Sequence, residues 1–423
     1  VDGTWLWLSE TGGRSLNLQA LRSRPYRRFW LGSIGSTGAT QMYFVAMAWL
    51  VFKLSGSAFD LGLLGAATAL PTIAATLAGG LVADRFNRRN VLIVTNLLAA
   101  ALLAALALLD ATGVVKVWHV LAVAGLLGMV HGFDLPARIS IFTALIEPHQ
   151  MMSAVALNSI LWQATRMVLP ALGGILIALG GTAVVFMLCS TGFIVMILVL
   201  IALAVPHRTR TRSNTWHDFI DGARFIGQNQ LFYLLIALTW IMMFFGTSYV
   251  QIMPIFVDIM GSEERGYGIL ISATGVGSVL GTIIISRFQQ NKNLGRIMLG
   301  GALLAALSLY GFAANAGFAG DSSYAFMVAS GFAILYSAFS SFYLISSMTI
   351  LQLKVPDELR GRVMGIHSIT FSLIALGGLS AGSLAAMVSA PFAVAAGATV
   401  LLLSTGWMMM RFNTVRQLDG RTL

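Results

Sequence analysis

Two long apolar runs of this sequence are joined by the charged stretch Gly80-Leu81-Val82-Ala83-Asp84-Arg85-Phe86-Asn87-Arg88-Arg89. A glycine at position 80 lets two helices approach closely, and Asp84 can cap or pair at the end of a helix. Asn87 tolerates a left-handed turn, while Arg88 and Arg89 can anchor the next helix at a membrane surface. The stretch therefore predicts a tight connection between two membrane helices.

The rest of the chain is too apolar for a water-soluble protein. Of its 423 residues 57% are hydrophobic and only 10% are charged, and the mean hydropathy is +0.83. Soluble domains carry about 25% charged residues, and a bilayer core of roughly 30 Å needs about 20 apolar residues per helix. We predict an all-α membrane protein with twelve transmembrane helices in two six-helix bundles. The predicted spans are 29–52, 59–83, 90–109, 117–141, 152–179, 182–204, 231–257, 266–286, 297–314, 323–350, 363–388 and 391–412.

The net charge of +10 reflects membrane topology, because the basic residues lie in short clusters between the apolar runs. With a cytoplasmic N-terminus, 22 of the 26 Lys and Arg residues fall on the inner side, in agreement with the positive-inside rule. We therefore expect a multi-pass protein of a bacterial inner membrane with both termini in the cytoplasm, and no nucleic-acid partner.

Cys189 is the single cysteine, so an intramolecular disulfide and a cysteine-based metal site are excluded. We expect no cofactor, no bound metal and a monomer in the lipid bilayer.

A polar stretch divides the apolar part of the chain into halves. The predicted parts are a cytoplasmic tail at 1–28, a bundle at 29–205, a linker at 206–230, a second bundle at 231–412 and a cytoplasmic tail at 413–423. Polar residues at helical spacing in the linker favour an amphipathic surface helix over a plain connection. The two halves echo each other, since Gly79-Gly80 before Arg85-Phe86 is matched by Gly281-Thr282 before Arg287-Phe288. Such parallel repeats place a substrate site between them, near the middle of the membrane.

The stretch at Gly80–Arg89 resembles the loop 2–3 signature of the major facilitator superfamily, Gly-x-x-x-Asp-Arg-x-Gly-Arg-Arg, with Asn87 in place of a glycine. Two further stretches are similar to the branch with the enterobactin exporter and related drug and secretion transporters. They are Asp134-Leu135-Pro136-Ala137-Arg138 and Val355-Pro356-Asp357-Glu358-Leu359-Arg360-Gly361-Arg362. The resemblance covers roughly residues 20–412 and implies a transporter that works by alternating access.

The resemblance also implies a charge latch between the inner ends of the two halves. In that latch Asp84 would face Arg362, and Arg88 would approach Asp134. The predicted gating and latch residues are Gly80, Asp84, Arg85, Arg88, Arg89, Asp134, Arg138 and Arg362. We expect the latch to stabilise the outward-open form.

The fifth span contains Pro170-Ala171-Leu172-Gly173-Gly174, which resembles the end of a motif of exporters in this superfamily. Pro170 would bend the helix, and Gly173 and Gly174 would allow tight packing against a neighbour. Arg166 lies at the middle of the same span, where an arginine costs roughly 2.5–3.5 kcal/mol on insertion scales. Two interpretations remain open, a positive site for an anionic substrate or a proton-carrying acid, and a structural arginine bonded to carbonyls freed near Pro170.

In the superfamily, spans 1, 4, 7 and 10 line the transport pathway. The expected lining residues here are Thr37, Thr40, Gln41, Arg166, Trp240, Thr247, Gln251, Tyr336, Ser340 and Tyr343. In span 10 the last three share a face at helical spacing. A lining of aromatic rings and hydroxyls suits an amphipathic organic solute, whereas hydroxyls that pack between helices are the alternative for each residue.

The resemblance implies export of a drug- or siderophore-like solute by proton antiport. The sequence has no Gly-x-x-x-x-Gly-Lys-Ser/Thr phosphate loop, so we expect neither an enzyme nor an ATP-driven pump. His131 and Asp134 are the candidate proton carriers, because a histidine titrates near neutral pH and spans 1, 7 and 10 lack a central carboxylate. For His131 a packed helix residue is the alternative. The alternatives are a facilitator or importer of another small solute, and a lipid flippase or scramblase.

Overall fold

A computed structural model describes residues 19–85, 87–203, 215–318 and 322–422 of the chain, and the regular elements in these ranges are all helical. The side chains of residues 77–85, 148, 215–219, 323, 357–358, 361, 368 and 371 lie outside this description. The first half consists of α1 Arg24–Ser55, α2 Ala58–Arg85, α3 Arg88–Ala111, α4 Val117–Ala144 and α5 Met151–Ile201, with short 3₁₀ turns at Gln19–Arg22 and Pro148–Gln150.

The second half begins with a short helix and a segment of mixed geometry. Helix α6 spans Thr215–Gln228. The seventh segment then runs through α7 Gln230–Ile241, a π-helical turn Met242–Gly246, a 3₁₀ stretch Thr247–Ile252 and α8 Met253–Ile259. The remaining helices are α9 Glu264–Ser286, α10 Leu294–Phe318, α11 Ser323–Lys354, α12 Asp357–Ser368, α13 Thr370–Met387, α14 Ala390–Arg411 and α15 Asn413–Arg416, followed by a 3₁₀ turn at Gly420–Thr422.

Helix α5 has 51 residues and crosses the bilayer twice. At 1.5 Å per residue it would be roughly 77 Å long, more than twice the thickness of a bilayer core. Gly181 interrupts it with φ 79° and ψ 175°, so the chain reverses there. In the described ranges ten helical stretches are long and apolar enough to span a membrane, with α5 counted once and α1 not included. Dividing α5 and adding the 32-residue α1 gives twelve segments, which confirms the predicted fold class.

Four glycines with positive φ close the connections at one end of the bundle. Gly56 joins α1 to α2, Gly113 joins α3 to α4, Gly181 joins the two parts of α5, and Gly261 joins α8 to α9. Glycine alone adopts this left-handed conformation without a steric penalty. We call this face of the bundle the glycine end, and the opposite face, where α2 ends and α3 begins, the arginine end.

Asn87 does not adopt the left-handed turn expected from the sequence. Its φ of −62° and ψ of 115° are extended, and its side chain accepts a hydrogen bond from the Arg89 backbone nitrogen at 3.0 Å. Asparagine is among the best residues at this position, because its carbonyl oxygen satisfies a free N–H of the first helical turn. The expectation was wrong because α3 begins directly after Asn87, which therefore acts as its N-cap.

The two halves are packed tightly at the glycine end. Helix α2 contacts α13, and α5 contacts α9. A Cβ atom on Gly62 would lie 2.7 Å from the carbonyl oxygen of Gly378, and one on Gly174 would lie 3.0 Å from the Cα of Gly268. Glycines thus bring the helix backbones together at this end, so the space between the halves is closed there.

Toward the arginine end, each buried apolar cluster belongs to one half. One cluster joins the 3₁₀ turn at Gln19–Arg22 and α1 to α3, α4 and α5. Another joins α6 and α7 to α11 and α12, with Ile226 of α6 buried against Val363 and Ile366. The large cluster that contains side chains from both halves lies nearer the glycine end. The halves therefore separate toward the arginine end.

Candidate functional site

A buried ion pair lies inside the first half, on α4. The Nε of Arg138 donates to Oδ2 of Asp134 at 2.7 Å, and Nη2 reaches Oδ1 at 3.3 Å. Two residues of α3 also donate to Oδ1, namely Thr95 through its hydroxyl and Asn96 through Nδ2, each at 3.0 Å. Both oxygens of this carboxylate therefore have hydrogen-bond donors, which a polar group buried in a membrane protein requires.

The same arginine connects α4 to α1. Its Nη1 lies 3.2 Å from the hydroxyl of Ser36 and 3.5 Å from that of Ser33. The Asp134 carboxylate therefore belongs to a network that spans α1, α3 and α4. A change in its charge would alter hydrogen bonds on all three helices.

This network borders a small cavity of about 30 Å³, lined by polar side chains of α1, α3 and α4. His131, one turn before Asp134, also lines the cavity, and so do Thr37 and Thr40 of α1. The Oδ1 atom of Asn96 is buried and has no hydrogen-bond partner among the described residues. The structure thus brings both candidate proton carriers to one polar cavity, with an acceptor available for a hydrogen-bond donor.

The seventh segment loses α-helical geometry where it faces α11. Its π-helical turn and 3₁₀ stretch meet at Gly246 and Thr247, and such irregular turns often occur at functional sites. The Thr247 hydroxyl is hydrogen-bonded to the Tyr336 hydroxyl of α11 at 2.8 Å. A Cβ atom on Gly246 would lie only 2.7 Å from the same Tyr336 oxygen. Glycine at 246 therefore lets Tyr336 approach the irregular turn.

Arg166 lies in the space between the two halves. Its side chain is accessible to solvent, and it interacts electrostatically with Tyr249 and Tyr336 of the opposite half. Among the described residues, its guanidinium has no hydrogen-bond or ion-pair partner. In this conformation Arg166 is not bonded to carbonyls near Pro170, and it presents an uncompensated positive charge to the space between the halves.

The exporter-like motif of α5 lies at the contact between the halves. Pro170, Gly173 and Gly174 are buried, and the Ala171 backbone nitrogen donates to the Ser272 hydroxyl of α9 at 2.9 Å. Proline disturbs the hydrogen bonding of the surrounding helix, so a donor from α5 is satisfied by the other half. Ser272 carries this contact and was not among the residues expected from the sequence.

Several of the expected pathway residues are engaged in helix packing. Tyr343 is fully buried and donates to the Leu235 carbonyl at 2.7 Å, and the buried Ser340 donates to the Ser337 carbonyl at 3.0 Å. The Gln251 side chain lies against Gly378 of α13. Trp240 has 36% of its surface exposed, and Gln41 is half-buried. The structure therefore groups Arg166, Thr247 and Tyr336.

The expected latch includes residues inside and outside the part of the chain that the structure describes. The side chains of Gly80, Asp84 and Arg85 are outside the described residues, and with them the expected contact between Asp84 and Arg362. Among the described residues, none of the hydrogen bonds of Asp134 comes from Arg88; its arginine partner is Arg138.

The other latch arginines bind elsewhere in this conformation. Arg89 donates to the carbonyls of Leu200 and Ile201, at the end of α5, at 2.6 and 2.5 Å. A cation favours a helix C-terminus because the last carbonyls are unpaired there. Arg362 is ion-paired to Asp221 of α6 at 2.9 Å, so the linker helix and the start of α12 are held together.

Several site residues were missed from the sequence. Thr95, Asn96 and Ser36 are polar residues within apolar runs, a pattern that indicates either packing or a site. Tyr249 stands two residues after Thr247 and gave no separate signal. Among the described residues no cluster of His, Cys, Asp and Glu could hold a metal ion.

Comparison with known families gives a match over nearly the whole chain. The model of a family described as transmembrane secretion effector, within the major facilitator superfamily, matches residues 16–421. The multidrug efflux pump Tap of Mycobacterium tuberculosis is 26% identical over 404 residues, which cover 89% of this chain and 90% of that protein. The enterobactin exporter EntS of Escherichia coli is 24% identical over 409 residues, which cover 93% of each chain.

Solved transporter structures share the fold. A point mutant of the nucleoside transporter NupG superimposes with a TM-score of 0.73 at 13% identity, covering 92% of this chain and 100% of that one. A bacterial homologue of the iron transporter ferroportin in its inward-facing state has a TM-score of 0.73 at 15% identity, covering 92% and 98%. At these identities the likeness concerns the architecture alone.

Proposed function

Because the chain belongs to the transmembrane secretion effector family of the major facilitator superfamily, we propose that it exports an amphipathic organic solute in exchange for protons. The observation that carries the proposal is the unpaired guanidinium of Arg166 between the halves, next to the hydrogen-bonded Thr247 and Tyr336. A cation in the middle of a membrane span without a counter-charge is costly, so a ligand that supplies an acceptor or a negative charge would be favoured there.

The solute class follows from the groups around Arg166. Tyr336 and Tyr249 offer aromatic faces, and Thr247 offers a hydroxyl. A solute with an aromatic or apolar body and one acidic or carbonyl group would match these surroundings. The relatives Tap and EntS are described as an efflux pump and an exporter, which supports outward transport.

The proposed coupling site is the cavity of Asp134 and His131. Protonation of Asp134 would neutralise its carboxylate and weaken the ion pair with Arg138. The guanidinium would then be free to change its bonds to Ser33 and Ser36 on α1, a helix that also borders the space between the halves. In this scheme His131 delivers the proton to Asp134 or receives it.

We place the arginine end in the cytoplasm, since the basic residues gather on that side. The conformation closed at the glycine end would then face inward and accept solute from the cell. In the opposite conformation, the latch of Asp84 and Arg362 would close the arginine end.

Transport into inverted membrane vesicles tests the proposal. With an acid interior imposed, vesicles that contain the protein should accumulate 8-anilinonaphthalene-1-sulfonate, an aromatic anion, and should accumulate less of the cationic dye ethidium. Arg166→Ala and Arg166→Lys should both lose accumulation of the anion, whereas Arg224→Gln, an exposed arginine of α6, should retain it. Normal transport by the Arg166→Ala variant would refute the role of Arg166.

The driving force separates export from the other functions. Accumulation that needs the proton gradient supports antiport, and equilibration of the dye without a gradient supports a facilitator. Equilibration of labelled phospholipid without a gradient, and without dye transport, would instead support a scramblase.

A further inference from the structure

A second cavity lies inside the other half, beside the irregular part of the seventh segment. Its volume, measured as the space open to the centre of a water molecule, is about 80 Å³, several times what one water molecule needs. The seventh segment, α13 and α14 form its walls. Most of the lining is apolar or small, and it comprises Phe244, Phe245, Ser248, Tyr249, Gly377, Ser380, Ala381, Leu384, Ala393, Val394, Ala396, Gly397 and Val400.

The shape of this cavity depends on the π-helical turn. A Cβ atom on Gly377 would lie 2.0 Å from the carbonyl oxygen of Phe244, and one on Gly397 would lie 2.4 Å from that of Phe245. At each glycine, the absence of a side chain lets a backbone carbonyl of the turn pack closely against the Cα. The α13 and α14 lining includes the small residues Gly377, Ala381, Ala393, Ala396 and Gly397, and the seventh segment contributes Phe244 and Phe245.

One wall residue has an unsatisfied polar group. Tyr249 is 1% exposed, and its hydroxyl has no hydrogen-bond partner among the described residues. Its ring is held edge-on by Phe312 and Tyr336, each with ring centroids 5.3 Å away. A buried hydroxyl without a partner costs free energy that a ligand atom in hydrogen-bond reach would recover.

We propose that this cavity, named here the Tyr249 cavity, is a binding subsite for a flat aromatic ring that carries a hydrogen-bond acceptor, such as an aryl ketone. The ring lies between the phenylalanines and the small residues of α13 and α14, and the acceptor receives the Tyr249 hydroxyl proton. The inference rests on the proposed transport function, because it assigns the aromatic part of the exported solute to this half.

Tyr249 links its cavity to the space between the two halves through electrostatic interaction. Tyr249 interacts with Arg166, and Tyr336, which contacts the Tyr249 ring, is hydrogen-bonded to Thr247. A solute whose ring occupies the cavity would have its second polar group near Arg166. The two sites would therefore recognise two ends of one molecule.

The test compares two probes of nearly equal shape, 2-acetylnaphthalene and 2-ethylnaphthalene. Binding of the tritiated compounds is measured on the full chain in lipid nanodiscs, with protein-free nanodiscs as the blank. The wild-type protein should bind the acetyl compound more tightly, because only this probe has an acceptor. In Tyr249→Phe the affinity for the acetyl compound should fall roughly twofold to tenfold, and the affinity for the ethyl compound should not change.

Two further variants separate this effect from damage to the fold. Tyr26→Phe is the matched control, because that tyrosine is also fully buried but donates to the Ala154 carbonyl at 3.2 Å, in the other half. It should leave both affinities unchanged. Ala396→Leu fills the cavity and should lower the affinity for both probes by tenfold or more. Unchanged binding in Tyr249→Phe and Ala396→Leu would overturn the proposal.

Two other readouts distinguish a lipid occupant and a failure of the transport function. A phospholipid that native mass spectrometry finds on the wild-type protein but not on Ala396→Leu, with unchanged naphthalene binding, would overturn the proposal. If the binding pattern holds while no dye is exported, the subsite stands and the transport function fails. If dye export requires Arg166 but both naphthalenes bind Tyr249→Phe like the wild type, the function stands and the subsite fails.

Discussion

Arg138 holds the Asp134 carboxylate one helical turn away, through two bonds of 2.7 and 3.3 Å, with both side chains largely buried in the first half. The exposed fractions are 17% for Arg138 and 12% for Asp134. A pair in this setting contributes little net stability, but the removal of one partner leaves a buried charge unpaired. Stability and coupling can therefore be separated by the choice of variant.

The first prediction concerns Asp134→Asn. The substitution leaves the Arg138 guanidinium without its counter-charge, so the free energy of unfolding should fall by roughly 3–5 kcal/mol. Thermal unfolding in detergent measures this loss. Dye accumulation in inverted vesicles should also stop responding to the proton gradient.

The double variant Asp134→Leu, Arg138→Met is the control for this prediction. Replacement of a buried ion pair by apolar residues of similar size is often neutral or stabilising. The double variant should therefore unfold near the wild-type temperature but remain uncoupled. Gradient-driven accumulation by this variant would show that the pair is structural only.

The second prediction concerns Gly275→Ala, at the contact between α9 and α5. A Cβ atom there would lie 2.8 Å from the Cα of Met167 and 3.0 Å from the Arg166 carbonyl. The helices must move apart, so the glycine end should open more often. Spin labels at Lys53→Cys and Val388→Cys, both exposed at that end, should report longer distances.

Gly300→Ala serves as the matched control, because a Cβ atom at Gly300 has nothing within 4 Å. The single native cysteine, Cys189, is buried and should remain unlabelled. Identical distance distributions in Gly275→Ala and the wild type would show that the closed end tolerates the extra methyl group.

The third prediction concerns the ion pair between Asp221 and Arg362. The side chains are 36% and 35% exposed, so the pair should contribute less than about 1 kcal/mol and weaken in high salt. Asp221→Asn should speed amide hydrogen exchange in α6, with little change in the membrane segments. Arg224→Gln, on the same helix but exposed, should leave that exchange as it is; equal exchange in the two variants would contradict a specific role for the pair.

The fourth prediction concerns the pH dependence of the C-terminal turn. Hydrogen bonds from the Arg421 side chain and backbone lower the pKa of Asp419 from 3.8 to about 2. A carboxyl whose pKa is lower in the folded state stabilises that state above its unfolded pKa, and the stabilisation is lost as the pH falls toward 2. Carbon-13 NMR of labelled Asp419 should show titration near pH 2 in the wild type and at a higher pH in Arg421→Ala, which loses the side-chain bonds and keeps the backbone bond. Titration near pH 4 in both proteins would contradict the contact.

The sequence predicted the membrane segments and the charged residues inside them, because in each case the residue type alone is informative. Apolar runs and basic clusters predicted the twelve segments, and Arg166 stood out because an arginine inside a span is rare. Asp134 could be selected for the same reason. Its partners Asn96 and Ser36 could not, because they lie on other helices and only packing brings them to the carboxylate.

The local backbone geometry was not predictable in the same way. Asn87 can take either a left-handed turn or an N-cap, and the exact start of α3 decides between them. The π-helical turn at Met242–Gly246 has an ordinary apolar sequence, and it persists because Gly377 and Gly397 accept its carbonyls. Contacts between segments that are distant in sequence stabilise the π-helical turn, so a local sequence pattern does not predict it.

The left-handed glycines at one face of the bundle also determine how the protein can move. The backbone nitrogens of Gly56, Gly113 and Gly261 each donate a hydrogen bond to a carbonyl in the preceding helix, at 2.7, 3.0 and 2.9 Å. These bonds limit the conformational freedom of each turn. Adjacent helices are thereby joined as stiff hairpins, and Gly56 and Gly261 occupy equivalent places in the two halves. We therefore expect a helix that tilts to move together with its neighbour, so that the hairpin is the moving unit.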